Sequence, residues 1–113
     1  MIEPRLASSV QVSALIRLAQ AEGDFATVLR KGDTVAGAII LIGLIRGQNP
    51  VMYERFPSLE GGSPWRQVDP SSDIDDNGTQ IWQKRCKRDP DLWVVELDVA
   101  TSERLSRLLE ATT

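Results

Sequence analysis

The chain has 113 residues, with 13 Lys plus Arg against 16 Asp plus Glu, a formal charge of −3 and no histidine. That length gives one domain spanning residues 1–113, and 42% hydrophobic residues are enough to build a core without staples. A charge this close to neutral argues against a surface that attracts anions as a whole but leaves room for a local basic patch, and the missing imidazole removes Ser-His, Cys-His and His-metal chemistry.

A single cysteine, Cys86, has no internal disulfide partner. The stretch Met1 to Leu6 has neither the basic start nor the apolar run of a secretory signal, so a cytoplasmic location is expected. The most apolar segment, Val35 to Ile45, holds Gly37 and Gly43 and is too short to span a bilayer, so no membrane association is expected.

The first periodic segment begins after Ser8-Ser9, whose hydroxyls suit a helix cap, and runs to Gly23. Val12, Leu15, Ile16 and Ala19 recur at helical spacing, with Arg17, Gln20 and Glu22 turned outward; the part before Ser13 is also compatible with an extended chain. Phe25 to Arg30 reads as a short strand closed by Lys31-Gly32-Asp33. Ala36 to Arg46 reads as a central strand covered on both faces, ended by the turn residues Arg46 to Pro50, with Val51 to Phe56 returning as its hairpin partner.

Residues 57–78 shift to Pro, Gly, Ser and Asp and form a long polar loop, expected to be mobile, within which Trp65-Arg66-Gln67-Val68 adds a short edge strand. Thr79 to Arg88 is helical by pattern, with Ile81, Trp82 and Cys86 on one side, and Asp89-Pro90-Asp91 stops it. Leu92 to Leu97 is a strand by its β-branched and aromatic content, and Thr101 or Ser102 caps a last helix whose Leu105, Leu108 and Leu109 face inward. Strands and helices do not alternate strictly, so the expected fold is α+β: an antiparallel or mixed sheet of four to five strands with three helices packed on it.

Several stretches together are similar to a known family: Arg5-Leu6-Ala7, Val12 to Arg17, Lys31-Gly32-Asp33, Ala36-Gly37-Ala38, and above all Asp89-Pro90-Asp91-Leu92-Trp93-Val94-Val95-Glu96-Leu97. They resemble a family of small bacterial proteins known only as a domain of unknown function, DUF family 1491. The resemblance covers both ends and the central hairpin and is weakest across residues 57–78. It implies a cytoplasmic bacterial α+β domain and supplies no catalytic residue.

Each chemical candidate has a plainer reading. Asp73-Ile74-Asp75-Asp76-Asn77-Gly78 opens like a calcium loop, but the position that requires a bidentate Glu is Lys84, so an acidic turn is favoured and no metal is expected. Lys84, Arg85, Lys87 and Arg88 surround Cys86, a pattern that activates a thiol when it is exposed; a small buried hydrophobe below Trp82 is the favoured alternative. The same cations suit phosphate, giving a weak, sequence-blind grip on an anion or nucleic acid, although basic residues at a helix C-terminus already complement its dipole.

Gly61-Gly62-Ser63 and Lys31-Gly32-Asp33 read as turns, and Glu54, Arg55, Glu96 and Asp98 as the solvent face of a sheet. Trp65, flanked by Pro64 and Arg66, is the best partner-facing residue. The expectation is therefore a non-enzymatic protein-interaction domain acting on a protein partner or on itself. The binding candidates are Lys84, Arg85, Lys87, Arg88 and Trp65; there is no catalytic residue and no cofactor, and nucleic acid is the weaker alternative.

Overall fold

The computed structural model describes residues 7–56, 64–68 and 79–112. Among them the order is α1 (Ser8–Ala21), β1 (Phe25–Arg30), β2 (Ile39–Ile45), β3 (Gln48–Arg55), β4 (Arg66–Val68), α2 (Thr79–Arg88), β5 (Trp93–Val99) and α3 (Ser102–Ala111). The strands form one five-stranded mixed sheet in the order β1-β5-β2-β3-β4. β2 and β5 run parallel at its centre, from Ile39 beside Trp93 to Ile45 beside Val99, and the other pairings are antiparallel. The α+β expectation holds, and the sheet is the mixed form of the two that were open.

Side-chain alternation on the two central strands builds a core on each face of the sheet. Ile39 and Leu41 with Trp93, Val95, Leu97 and Val99 bury against Val12, Leu15 and Ala19 of α1 and Leu105 and Leu108 of α3. The intervening residues Ile40, Ile42 and Val94 point the other way and join Ala38, Met52, Leu92 and Cys86 of α2. This two-sided burial explains the nearly continuous apolar run of β2.

Several local expectations are corrected. Neither serine caps α1: the N-cap is Ala7, which has no side-chain bond, and the helix is regular from Ser8 onward. Ser8 is instead buried, donating its hydroxyl to the carbonyl of Gly37 at 2.6 Å, a long-range use of a residue that resembles a local cap. Residues 34–36 form a turn, so β2 begins at Ile39 and not at Ala36. The hairpin turn is only Arg46-Gly47, both left-handed at φ 51 and 75, the twist that two-residue hairpins favour.

Gln48 to Pro50 therefore belong to β3, with Asn49 at φ 56 where the β2–β3 register shifts. β5 extends to Val99, two residues past the expected end. At α3 the choice between two caps resolves to Thr101, whose side chain accepts from the Arg104 N–H at 3.2 Å.

The segment between β1 and β2 is folded tightly against the start of β5. The Asp33 carboxylate accepts from the N–H groups of Ala36 and Val35, which hold it below the usual carboxylate range. The Asp33 N–H donates to the Asp91 carbonyl at 3.0 Å, and the Trp93 indole donates to the Asp33 carbonyl at 2.6 Å. Gly32 and Gly37 both lie against the same Asp91 carbonyl, where an added Cβ would come within 2.2 and 2.1 Å of its oxygen. That spacing is compatible with hydrogen alone.

Because the obstruction at Gly37 is backbone, Gly37→Ala and Gly32→Ala must displace the β5 entry. Each is expected to lower stability by about 1–3 kcal/mol in urea unfolding, as overpacking does. Ser8→Ala, which leaves the Gly37 carbonyl without its donor, is expected to cost about the same.

Candidate functional site

Two groups of side chains stand out, and they follow from the alternation of β3. Glu54 pairs opposite Ile40 and shares the face that includes α2, whereas Arg55 pairs opposite Ile39 and points toward α1 and α3. Both were expected on a solvent face. Each instead has an intramolecular partner, because the sheet is covered on both sides.

On the α2 side, Glu54 accepts a salt bridge from Arg85 at 2.5 Å, which takes one of the four expected cations out of the free basic cluster. Lys87 and Arg88 are exposed. Lys84 lies on α2 by its backbone, but its side chain, like that of Trp82, is outside the described residues, as are the Asp73–Gly78 turn and Gly61-Gly62-Ser63.

Cys86 is buried, 6% exposed, and belongs to the core cluster. Burial pushes its thiol up; Arg30 and Arg85 pull it down by less, and Asp89 adds to the rise. The thiol is therefore held neutral, and Arg85 and Arg30 beside it do not activate it. A shallow hollow beside it is lined by Arg30, Gln83, Cys86 and Lys87. Among the described residues no group of three or more His, Cys, Asp or Glu side chains comes together to hold a metal, and no helix is long and apolar enough to cross a membrane.

On the opposite face, Arg55 is only 7% exposed. Its guanidinium donates to Gln11 Oε1 at 3.2 Å and to the Thr112 carbonyl, and it lies 4.3 Å from the Trp65 ring centroid. Burial lowers its pKa. Trp65 donates its indole N–H to Thr112 Oγ1 at 3.0 Å, so the residue expected to face a partner is half-buried and stacked on an internal cation. Sequence gave no signal for this contact: Glu54-Arg55 reads as ordinary strand alternation, and the partners of Arg55 come from α1, the approach to β4 and the end of α3.

Exposed apolar side chains lie elsewhere: singly at Val10, Leu18, Val35 and Phe56, and as a group on β1. Among the described residues this strand pairs only with β5, leaving its other edge free within the sheet, and Phe25 is 73% exposed with Val28 and Leu29 also at the surface.

The family described as "Protein of unknown function (DUF1491)" matches residues 6–107. Among solved structures, the chain is similar to a crystal structure of a DUF1491 family protein from Caulobacter crescentus CB15, at 32% identity and TM-score 0.71, covering 84% of this chain and 89% of that one. It is also similar to the solution structure of a protein from A. tumefaciens, at 29% identity and TM-score 0.68, covering 90% and 92% of the two chains. An NMR structure of a DUF1491 family protein from Caulobacter crescentus CB15 matches at 31% identity and TM-score 0.68, with coverage of 86% and 88%. No curated protein matches the chain.

Two outcomes are expected from these contacts. Trp65→Ala removes the stacking on Arg55 and the bond to Thr112, and lowers stability by about 1–3 kcal/mol in chemical denaturation; a purely partner-facing tryptophan would leave melting unchanged. For Cys86, the folded thiol keeps its proton at a pH where an unfolded thiol, with its ordinary value of 9.0, has ionised. Unfolding then releases a proton, so stability falls as pH rises past that value. Denaturation curves from about pH 8 to about pH 10 should show a decline that Cys86→Ala flattens, although that variant is less stable throughout.

Proposed function

Because the chain belongs to the DUF1491 family, whose description assigns no activity, we propose from its surface that it is a protein-interaction domain that pairs with a second copy of itself along the free edge of β1. The observation that carries this is Phe25, a large aromatic side chain 73% exposed at the head of a six-residue edge strand. Edge strands present unpaired N–H and C=O groups that template another strand, and proteins commonly blunt them with proline or internal charge. The sequence Phe-Ala-Thr-Val-Leu-Arg has neither before its last residue, and the register irregularity of β1 falls after Val28, leaving Phe25 to Val28 in regular pairing geometry.

The strand also complements itself. Antiparallel pairing centred on Thr27 sets Ala26 opposite Val28 and Phe25 opposite Leu29, so that residues of one face meet each other. Phe25, Val28 and Leu29 supply apolar area that the monomer leaves in water.

A weak grip on nucleic acid through Lys84, Arg85, Lys87 and Arg88 is less well supported. Arg85 is committed to Glu54, and fewer free cations mean less counterion release.

Sedimentation velocity over a concentration series tests the pairing. A monomer–dimer equilibrium is expected, weakened at least about tenfold by Phe25→Lys or Leu29→Lys with little change in thermal unfolding. A chain that stays monomeric at high concentration, or a dimer indifferent to both substitutions, would overturn it.

A further inference from the structure

The hollow beside α2 is assembled by an irregularity in β1. Phe25 to Val28 pair in step with Asp98 to Val95, but the register shifts before Arg30, which pairs with Val94. Val28 lies opposite Val95, on the face covered by α1 and α3, and simple alternation would return Arg30 to that face. The shift places Arg30 on the Val94 side instead, next to Cys86 and Lys87. Bulges of this kind often re-aim a side chain at a functional position.

Once turned, Arg30 is not satisfied. Its Nε is buried and has no hydrogen-bond partner, and among the described residues no carboxylate forms an ion pair with it. A buried guanidinium N–H without an acceptor is costly unless something supplies one. The remaining lining groups are also suited to donate: the Lys87 ammonium, the Gln83 amide, and a Cys86 thiol that carries no opposing charge. Asp89, an acid that acts on Cys86, uses one carboxylate oxygen to accept from the Asp91 N–H at 3.1 Å.

We propose that the hollow formed by Arg30, Gln83, Cys86 and Lys87 is a binding site for a phosphate group. Two cations from different elements, one of them a planar fork, match a doubly charged tetrahedral oxyanion better than a singly charged carboxylate. The hollow is open to solvent, so it accepts the group either free or carried on a larger molecule. The site is distinct from the β1 edge contact except at Arg30, and Lys87 separates the two.

The test is a titration of the full chain with inorganic phosphate, followed by amide ¹H–¹⁵N spectra at ionic strength held constant with chloride. Saturable shifts are expected at Arg30, Gln83, Cys86 and Lys87. Lys87→Gln should weaken them about tenfold while leaving the sedimentation behaviour unchanged, and Arg30→Gln should weaken them at least as much. Arg88→Gln, on the same helix end but outside the hollow, should change affinity by less than about twofold.

O-phosphoserine in place of phosphate identifies the source: tighter binding points to a phosphate on a larger ligand, equal or weaker binding to the free ion. Absence of saturable shifts, equal sensitivity to Arg88→Gln, or an equal response to acetate would each overturn the proposal. Lys87 is exposed, so its variant reports on binding even if Arg30→Gln fails to fold.

Discussion

The architecture depends on the close approach of three backbone segments around the carbonyl of Asp91. Gly32 and Gly37 both press on it, Asp33 donates to it, and the Trp93 indole closes the contact from the β5 side. From this anchor the Trp93 N–H reaches the Ala38 carbonyl at 2.8 Å, setting β5 alongside β2 in the register that runs to Ile45 and Val99. A one-residue slip would exchange the two faces and turn each buried side chain of β5 to the wrong core. The segments Lys31-Gly32-Asp33, Ala36-Gly37-Ala38 and Asp89 to Trp93 meet at this point, so in this chain their residues serve the fold first of all.

The other long-range ties follow from that placement. With β5 fixed between β1 and β2, Asp98 reaches the hairpin and accepts from the Gly47 N–H at 2.9 Å, while the Arg46 N–H donates to the Val99 carbonyl at 2.9 Å. α3 lies against α1, and Arg104 bonds the Glu22 carbonyl and lies 3.3 Å from the buried carboxylate of Asp24. These contacts fix the turn that launches β1, a strand that carries the exposed Phe25, Val28 and Leu29.

Elements were legible in the sequence because period and turn chemistry are local. The amphipathic stripe of α1, the pairing of β2 with the strand that follows it, the short strand near Trp65 and the stop at Asp89-Pro90 all lie where their residues suggest, although the hairpin turn is shorter than the expected Arg46 to Pro50. Cys86 is buried, as its place on the apolar side of α2 implies. Position between elements was not legible: nothing in Trp93 to Val99 announces that it separates β1 from β2. The same gap hid the charged residues. Arg55 is an ordinary strand arginine until α1 and α3 close over it, and Arg30 changes face only because of a register shift that has no composition of its own. Ser8 has the chemistry of a cap, and its use by Gly37 depends on a loop almost thirty residues away.

The strand order carries a consequence for biosynthesis. Among the described residues β1 has its one sheet neighbour in β5, so residues 25–30 are translated long before residues 93–99 exist to receive them. On the ribosome the β2–β3 hairpin is able to form early, whereas both edges of the Phe25 strand stay open until almost the whole chain has emerged. Contacts of such large sequence separation slow folding and lengthen the exposure of sticky backbone. The sheet is therefore completed at its β1 side only after residues 93–99 have been made.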